Sequence, residues 1–223
     1  MEVLKNFATI NQTLLFPEGN TLVTRSVKKH TYAEATVTET FPKRFTVYDL
    51  NEFLSTVTFY EKPVLDFELA DNYVVVSDER GGMASKFHYG DESLAYIPDP
   101  KKKIALPSTE VSLKLTEKDF KRITDIARIQ GSPELSLHCD GKVLELVSLN
   151  SKNSSVNNTV LPIGKAPKKS VPFTFIWKIE YLKLIPGTYD LAVSKEGLSR
   201  FTHTEFPVTY HIVLEANGTK YGE

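Results

Sequence analysis

The stretch Lys5-Asn6-Phe7-Ala8-Thr9-Ile10 returns later in the chain as Lys118-Asp119-Phe120-Lys121-Arg122-Ile123, and this repetition decides the fold. Any single match of this length can arise by chance, but two further landmarks recur in the same order. These are Glu18-Gly19, which returns as Asp140-Gly141, and Phe45-Thr46-Val47 with Glu52-Phe53-Leu54, which returns as Phe173-Thr174-Phe175 with Glu180-Tyr181-Leu182. The chain of 223 residues is therefore predicted to contain two copies of one unit.

Each copy is predicted to be α+β, with a helix, strands, a shorter helix and further strands. Alternation of apolar and polar residues, as in Val64–Leu69, is typical of half-buried antiparallel strands. An acidic residue before glycine between two such runs predicts hairpins at Glu18-Gly19 and at Asp140-Gly141. In the first copy we predict helices at Glu2–Ile10 and Tyr48–Val57, and strands at Leu22–Val27, Tyr32–Val37, Val64–Leu69, Tyr73–Ser77 and Ala84–Tyr89.

The second copy has a clear helix start, because Thr116 is a good N-cap and Asp119 follows three residues later. This helix is predicted to run to Ile129. A shorter helix is predicted for Lys178–Ile185, because Pro186-Gly187 would end it. The predicted strands include Val111–Leu115, Tyr189–Ser194 and Val208–Glu215. The equivalent of Val111–Leu115 in the first copy would precede Met1, so the first copy is expected to lack its opening strand.

A linker separates the two copies. The segment Ile97–Pro107 contains three prolines and the run Lys101–Lys103, which is typical of an extended and semi-rigid connection. We therefore divide the chain into a first domain at 1–100, a linker at 98–109 and a second domain at 110–223.

Composition and motifs exclude several classes of protein. Hydrophobic residues make up 41% and charged residues 25% of the chain, as in a folded globular protein. No apolar run approaches the roughly 18 residues of a membrane span. The single cysteine, Cys139, cannot form an intrachain disulfide, which favours a reducing cytoplasm, and it is expected to be buried.

No motif of an enzyme is found either. The sequence contains no Gly-x-x-x-x-Gly-Lys phosphate loop and no Gly-x-Gly-x-x-Gly dinucleotide loop, and its five histidines lack the spacing of zinc ligands. We therefore expect no catalytic residue, no metal and no cofactor, although a catalytic site defined only by geometry stays open.

The distribution of charge is more informative than the net charge of −1. At about 3.6 residues per turn, the helix after Thr116 has an apolar stripe of Phe120, Ile123 and Ala127, flanked by Ile126. Its opposite side has four positive charges and one negative, from Lys118, Lys121, Arg122, Asp125 and Arg128. Lys5 has the position of Lys118 in the first copy, whereas Asp49 and Glu52 on the first copy's shorter helix depart from the trend.

Such a basic face has two interpretations. It is either a solvated helix surface or a surface that contacts a polyanion. No base-reading motif accompanies the lysines and arginines, so contact with nucleic acid would be to phosphates, without sequence readout.

The sequence resembles the sliding clamps of T-even bacteriophages. The segments that carry the resemblance span nearly the whole chain in the family's order, and they are Leu4–Asn11, Thr31–Ala35, Tyr48–Leu54, Pro186–Tyr189 and Val213–Ala216. The first and third are specific, whereas residues 60–170 match mainly in pattern. Family members begin with an additional strand and a longer first helix bearing a further lysine, both of which this sequence lacks.

The resemblance implies two similar clamp domains, with helices on the inner face of a ring and antiparallel sheets outside. Two domains per chain imply a head-to-tail homotrimer, in which six domains close the ring. It also implies a DNA polymerase processivity factor, not an enzyme, that encircles double-stranded DNA without sequence specificity. Its implied partners are the replicative DNA polymerase, the ATP-driven clamp loader and late-transcription proteins, in the cytoplasm of the infected bacterial host.

Site residues follow from the resemblance and from the pattern together. Lys5 and Lys183 match basic family positions directly, and the rest of the DNA face is matched by pattern, namely Lys118, Lys121, Arg122, Arg128 and Lys178. Family topology implies a subunit joint formed by Met83, Phe87, Tyr96, Val156, Val160 and Pro162. Pro162 is expected at the end of its strand, because a central strand needs the N–H that proline lacks. The apolar linker residues either pack down on the domains or border a partner-binding pocket, and they are Ile97, Pro98, Ile104, Leu106 and Pro107.

Two other classes stay open. A non-ring phage structural or binding module of β-rich domains would explain the strands and the missing motifs, but not the basic helices. An enzyme that acts on nucleic acid would need acidic metal ligands beside the basic face, and the sequence suggests none. Retention on circular DNA with loss from linear ends would distinguish a clamp from both.

Overall fold

The computed structural model describes residues 1–68, 71–94, 104–153, 155, 157–166 and 171–222. The chain forms two compact units, Met1–Lys103 and Ile104–Glu223. Each unit combines helices with antiparallel strands, as the sequence predicts.

Unit 1 contains two helices and seven strands within its described residues. In chain order these are α1 (Glu2–Ile10), β1 (Leu14–Phe16), β2 (Gly19–Arg25), β3 (Thr31–Phe41), β4 (Phe45–Val47), α2 (Leu50–Phe59), β5 (Pro63–Asp66), β6 (Tyr73–Asp78) and β7 (Ala84–His88), followed by a 3₁₀ turn at Glu92–Leu94. Strand β1 pairs with β4, β2 pairs with β3, and β5, β6 and β7 form a three-stranded sheet in that order. Helix α1 packs against α2, β2 and β3.

Phe16 organises the core of unit 1. Its ring stacks on Phe45 with centroids 4.6 Å apart and meets Phe53 edge-on at 6.0 Å. These contacts join β1, β4 and α2 around one fully buried aromatic side chain.

Unit 2 largely repeats this order of elements, with an opening strand before its helix and a 3₁₀ turn in the place of α2. These are β8 (Val111–Leu115), α3 (Glu117–Gln130), β9 (Glu134–Cys139), β10 (Val143–Leu149), β11 (Thr159–Lys165), β12 (Phe173–Lys178), a 3₁₀ turn (Ile179–Tyr181), β13 (Tyr189–Ser194), β14 (Leu198–His203), β15 (Val208–Val213) and β16 (Lys220–Tyr221). One sheet has the order β11-β10-β9-β12-β16, and in a second sheet β15, β14, β13 and β8 lie side by side in that order.

Trp177 joins the two sheets of unit 2. It lies on β12, and its indole N–H donates to Oγ of Ser199 on β14 at 2.8 Å. The Ser199 hydroxyl in turn donates to the carbonyl of Ile212 at 2.8 Å, so every polar atom in this buried group has a partner. Cys139 is buried without a disulfide, as expected.

The two units differ at one sheet edge. In unit 2 the opening strand β8 pairs with β13. The strand of unit 1 that corresponds to β13 is β5. Among the described residues β5 pairs with β6 on one edge and with no strand on the other. The absence of an opening strand from the first copy, which the repeat predicts, stays a prediction.

Most strand and helix boundaries fall within two residues of the predicted ones, but the hairpin predicted at Glu18-Gly19 is wrong. Strand β1 pairs with β4, with Leu15 opposite Thr46, rather than with β2. Pro17 directly follows β1 and has no N–H with which to continue a ladder. The hairpin at Asp140-Gly141 is confirmed, because β9 and β10 pair there. The predicted strand Val64–Leu69 ends at Asp66, and Leu69 lies outside the described residues.

The position expected for Pro162 is also wrong. Pro162 lies inside β11, opposite Glu145, where the pairing with β10 shifts register. Strand β11 is the outer strand of its sheet. A proline is tolerated there because an edge strand with a bulge does not need every N–H in the ladder.

The short helix predicted for Lys178–Ile185 does not form. Only a 3₁₀ turn at Ile179–Tyr181 is present, and Lys178 still belongs to β12. Two tyrosine side chains hydrogen-bond to the backbone of Ile185. Its N–H donates to the Tyr210 hydroxyl at 3.3 Å, and its carbonyl accepts from the Tyr189 hydroxyl at 2.5 Å. These side-chain bonds replace the helical ones.

Candidate nucleic-acid interface

Helix α3 has strong signals at both ends. The Thr116 hydroxyl accepts the N–H of Asp119 at 3.1 Å, which satisfies one of the unpaired donors of the first turn. Gly131 ends the helix in the left-handed conformation with φ +67, and its N–H bonds back to the last turn. The capped helix is therefore well defined without help from its exposed side chains.

The apolar stripe predicted for α3 is confirmed. Ile123 and Ala127 are fully buried, and Phe120 and Ile126 are half-buried. The helix packs through this stripe on β9, β10 and β11. The other face of α3 is consequently directed away from the sheet.

The basic residues predicted for that other face are all exposed. They are Lys118, Lys121, Arg122 and Arg128. Lys118 and Arg122 make no ion pair with any residue that the structure describes. Two exposed cations are thus available for an external anion.

Asp125 holds the other two cations. Its Oδ2 lies 2.7 Å from Nζ of Lys121, and its Oδ1 lies 3.2 Å from Nη1 of Arg128. The hydrogen bond and charge of Lys121, reinforced by Arg128, hold the pKa of Asp125 below its ordinary value. The carboxylate is therefore charged at neutral pH.

The remaining predicted cations have different surroundings. Lys178 ends β12, where its Nζ lies 3.3 Å from the Tyr181 hydroxyl and 3.5 Å from Oε1 of Glu215. The hydrogen bond with Tyr181 and the charge of Glu215 raise the pKa of Lys178. Lys183 is exposed beyond the 3₁₀ turn. Lys178 already has an internal acidic partner, so it is less available to an external anion than Lys118.

In unit 1 the only basic residue of α1 is Lys5, which is exposed. Helix α2 contains no basic residue. The departure of Asp49 from the charge trend has a structural reason, because its carboxylate caps α2 by accepting the N–H groups of Asn51 and Glu52 at 3.0 and 3.1 Å.

Several predicted partner and joint residues lie outside the described residues, namely Tyr96, Ile97, Pro98 and Val156. Among the described linker residues, Ile104 and Pro107 are exposed and Leu106 is half-buried. Of the predicted joint residues, Met83, Val160 and Pro162 are exposed, whereas Phe87 is half-buried with its ring 5.0 Å from that of Phe53.

Sequence reasoning missed the two most exposed large apolar side chains of the described residues. Ile129 near the end of α3 is 80% exposed, and Phe59 at the end of α2 is 72% exposed. A signal for Ile129 exists in the sequence, because steps of about 100° per residue put it on the basic side of the helix, opposite Phe120. Phe59 lines a shallow cavity of about 320 Å³ with Ser55, Thr56, Tyr60, Met83 and Ser85.

Neither a metal site nor a membrane-spanning helix is seen in the part of the chain that the structure describes. No group of three or more His, Cys, Asp or Glu side chains is placed there to hold a metal ion. None of its helices is long and apolar enough to cross a bilayer.

Known proteins share this fold over nearly the entire chain. Proliferating cell nuclear antigen (PCNA) of Thermococcus kodakaraensis superposes with a TM-score of 0.69 at 14% identity, with 96% of this chain and 95% of that chain covered. The Entamoeba histolytica protein of the same name gives a TM-score of 0.69 at 12% identity, covering 96% and 94% of the two chains. The fold is therefore that of the sliding clamps.

Proteins of similar sequence indicate which sliding clamps this chain resembles. A family model described as DNA polymerase processivity factor matches residues 1–64. The sliding clamp of Vibrio phage KVP40 is 28% identical over 97% of this chain and 96% of its own length, and the sliding clamp of Enterobacteria phage T4 is 25% identical over 97% and 95%. By fold and by sequence the chain is a sliding clamp, a non-enzymatic DNA polymerase processivity factor, and its similarity to the sliding clamps of T4-like phages extends over nearly its entire length.

Proposed function

We propose that three copies of this clamp close head to tail into a ring that encircles double-stranded DNA and tethers the replicative DNA polymerase to it. The observation that carries the proposal is the division of α3 into two faces. Its apolar stripe packs on the sheet, and its four cations are directed away from that sheet. A ring with such helices on its inner side would present lysine and arginine to the duplex and sheets to the outside.

Contact with phosphates suits a clamp that slides. Lysine and arginine neutralise phosphates whatever the base sequence, and many weak contacts hold the duplex without fixing one register. The proposed DNA face consists of Lys5, Lys118, Lys121, Arg122, Arg128, Lys178 and Lys183. Binding by the unloaded protein should therefore be weak and should fall steeply with rising salt.

The proposed subunit joint is supported by a feature that both units share. In unit 1, the Tyr60 hydroxyl lies 2.7 Å from Oγ of Ser85, so the end of α2 is tied to β7. In unit 2, Nε2 of Gln130 donates to the Thr159 hydroxyl at 3.0 Å, so the end of α3 is tied to β11. Each tied helix end carries an exposed apolar residue, Phe59 in unit 1 and Ile129 in unit 2.

The strands at these helix ends are also outer strands. Strand β7 is at one edge of its three-stranded sheet, and β11 is at one edge of its five-stranded sheet. Unpaired edges invite pairing with another chain, and a head-to-tail ring would use both. In the proposed joint, β7 of one copy meets β11 of the next, while Phe59 and Met83 cover Ile129 and Val160.

Partners would bind at the linker. An extended peptide with apolar anchors can engage a surface pocket through a small interface, which suits a tether with several partners. Ile104, Leu106 and Pro107, with Ile97 and Pro98, are the proposed border of that pocket. The same surface would serve the polymerase, the ATP-driven clamp loader and late-transcription proteins in the cytoplasm of the infected host.

Two measurements test the ring, namely retention of the clamp on circular DNA and the mass of the assembly in solution. The full chain, loaded with the phage's own clamp loader, should remain on closed circular DNA at high salt and should leave once the circle is cut. Analytical ultracentrifugation of the unloaded protein should give a trimer. A monomer that dissociates equally from circular and linear DNA would instead support a non-ring binding module.

A further inference from the structure

Asp125 lies at the centre of the basic face of α3. It lies one helical turn after Lys121 and three residues before Arg128, and each of its carboxylate oxygens contacts one of them, at 2.7 and 3.2 Å. The two cations are largely exposed, with 69% of Lys121 and 78% of Arg128 accessible, and 40% of the Asp125 side chain is accessible. One carboxylate therefore occupies two of the four cations of the helix.

Helix stability is a poor explanation for this arrangement. Lys121 precedes its acidic partner by four residues, which is the less favourable orientation relative to the helix dipole, whereas Arg128 follows Asp125 in the favourable orientation. Exposed ion pairs also contribute little to folding. The helix already has Thr116 at its start and Gly131 at its end. The position of Asp125 therefore calls for a role outside the folding of α3.

A carboxylate and a DNA phosphate compete for the same donors. Both accept hydrogen bonds from ammonium and guanidinium groups, so Lys121 and Arg128 must leave Asp125 before they can contact a phosphate closely. Lys118 and Arg122 have no such internal competitor among the described residues. The four cations of α3 thus fall into two that are held and two that are not.

Resting on the proposed DNA face, we infer that Asp125 competes with DNA phosphate for Lys121 and Arg128 and thereby limits how tightly the clamp grips the duplex. The exchange is easy because exposed ion pairs form and break readily. The held cations take up a phosphate when one is near and return to Asp125 as the duplex moves past. The affinity of the clamp for DNA is therefore lower than it would be if none of the four cations had an acidic partner.

The test compares three single variants of the full chain. Asp125→Asn removes the charge with almost no change in shape, and Asp125→Glu keeps the charge. Asp190→Asn is the matched control, because it removes the same charge from an exposed position on β13. Affinity for a labelled duplex is measured by fluorescence anisotropy over a fourfold range of salt, with helix content and trimer mass checked for each variant.

Asp125→Asn should bind the duplex more tightly and with a steeper dependence on salt. Every additional phosphate that the clamp neutralises steepens the logarithmic slope by about 0.9, so a fourfold rise in salt should weaken binding about 3.5-fold more for each such phosphate. Asp125→Glu and Asp190→Asn should match the unmodified protein.

One further variant distinguishes a failure of this inference from a failure of the proposed function. The double variant Lys118→Glu with Arg122→Glu tests the DNA face without touching Asp125. If that variant binds weakly while Asp125→Asn is unchanged, the DNA face stands and the role of Asp125 is overturned. If neither affects binding, the DNA face itself is wrong. Tighter binding by Asp125→Glu as well would show that charge is not the cause and would also overturn the inference.

Discussion

Gly187 and the His203 ring are so close that a β-carbon on Gly187 would lie 2.0 Å from Nε2 of the histidine. Nδ1 of His203 accepts the N–H groups of Glu205 and Phe206 at 3.0 Å, so the ring proton belongs on Nε2, which is 3.1 Å from the carbonyl of Pro186. The ring thus links the turn before β13 to the turn after β14. Gly187 also has φ +151, where side chains are strained.

Replacing Gly187 with Ala should destabilise unit 2. The added carbon would displace the His203 ring and break its three hydrogen bonds, and the backbone conformation adds strain. We expect a loss of about 3 kcal/mol in the free energy of unfolding, measured by urea denaturation at fixed protein concentration. Gly164→Ala is the control, because nothing lies within 4 Å of a β-carbon at that position. Equal stability of the two variants would contradict this account of Gly187.

Reversal of charge at Lys118 and Arg122 should weaken the hold on DNA. The change to Glu replaces two cations with anions on each chain, so processive synthesis should fall and the salt dependence of duplex binding should become shallower by about 0.9 for each phosphate no longer neutralised. Lys121→Glu with Arg128→Glu should act in the same direction. The matched control is Lys114→Glu with Arg200→Glu, an equal change at exposed positions on β8 and β14. Full processivity of the Lys118→Glu, Arg122→Glu variant would mean that α3 does not face the duplex.

Removal of the exposed apolar side chains at the proposed joint should open the ring. Phe59→Ser or Ile129→Ser would delete apolar surface that the joint buries, so each should raise the trimer dissociation constant by roughly tenfold or more. Val27→Ser is the control. Val27 is 58% exposed in unit 1, and it lies in the loop between β2 and β3 and not on α2 or β7. Sedimentation at several concentrations measures the effect, and the joint is placed wrongly if all three variants stay trimeric alike.

Replacement of Ile104 and Leu106 with Ser should weaken partner binding but leave the ring intact. Apolar anchors dominate the affinity of short peptides, so a peptide from the end of the phage polymerase should bind roughly tenfold more weakly. Calorimetric titration measures the affinity, and Val64→Ser serves as a control at another exposed apolar position. Unchanged peptide affinity together with an intact trimer would move the pocket away from the linker.

Local signals explain why much of the fold could be predicted. Helix α3 begins and ends within one residue of its predicted limits, because Thr116 and Gly131 act on their immediate neighbours. Its buried stripe follows from helical periodicity alone. By contrast, the pairing of β1 with β4 joins residues about thirty positions apart, and no local pattern in the sequence identifies that partner.

The candidate site was only partly predictable for a related reason. The exposure of Lys118 and Arg122 follows from the helical pattern, but the dual contact of Asp125 depends on side-chain geometry that the pattern does not give. Lys178 was expected on a helix, and its bond to Tyr181 depends on β12 continuing to that residue. Helical periodicity puts Ile129 on the basic side of α3, whereas the exposure of Phe59 is seen only once burial is known.

The unequal helices of the two units have a consequence for DNA inside the proposed ring. Helix α1 has nine residues with one basic side chain, whereas α3 has 14 residues with four on its basic face. Around a ring of three copies, strongly and weakly attractive sectors would alternate, so the electrostatic potential would have three wells instead of six. A duplex on the axis would be equidistant from the three wells, and a duplex that tilts away from the axis would approach one of three equivalent walls.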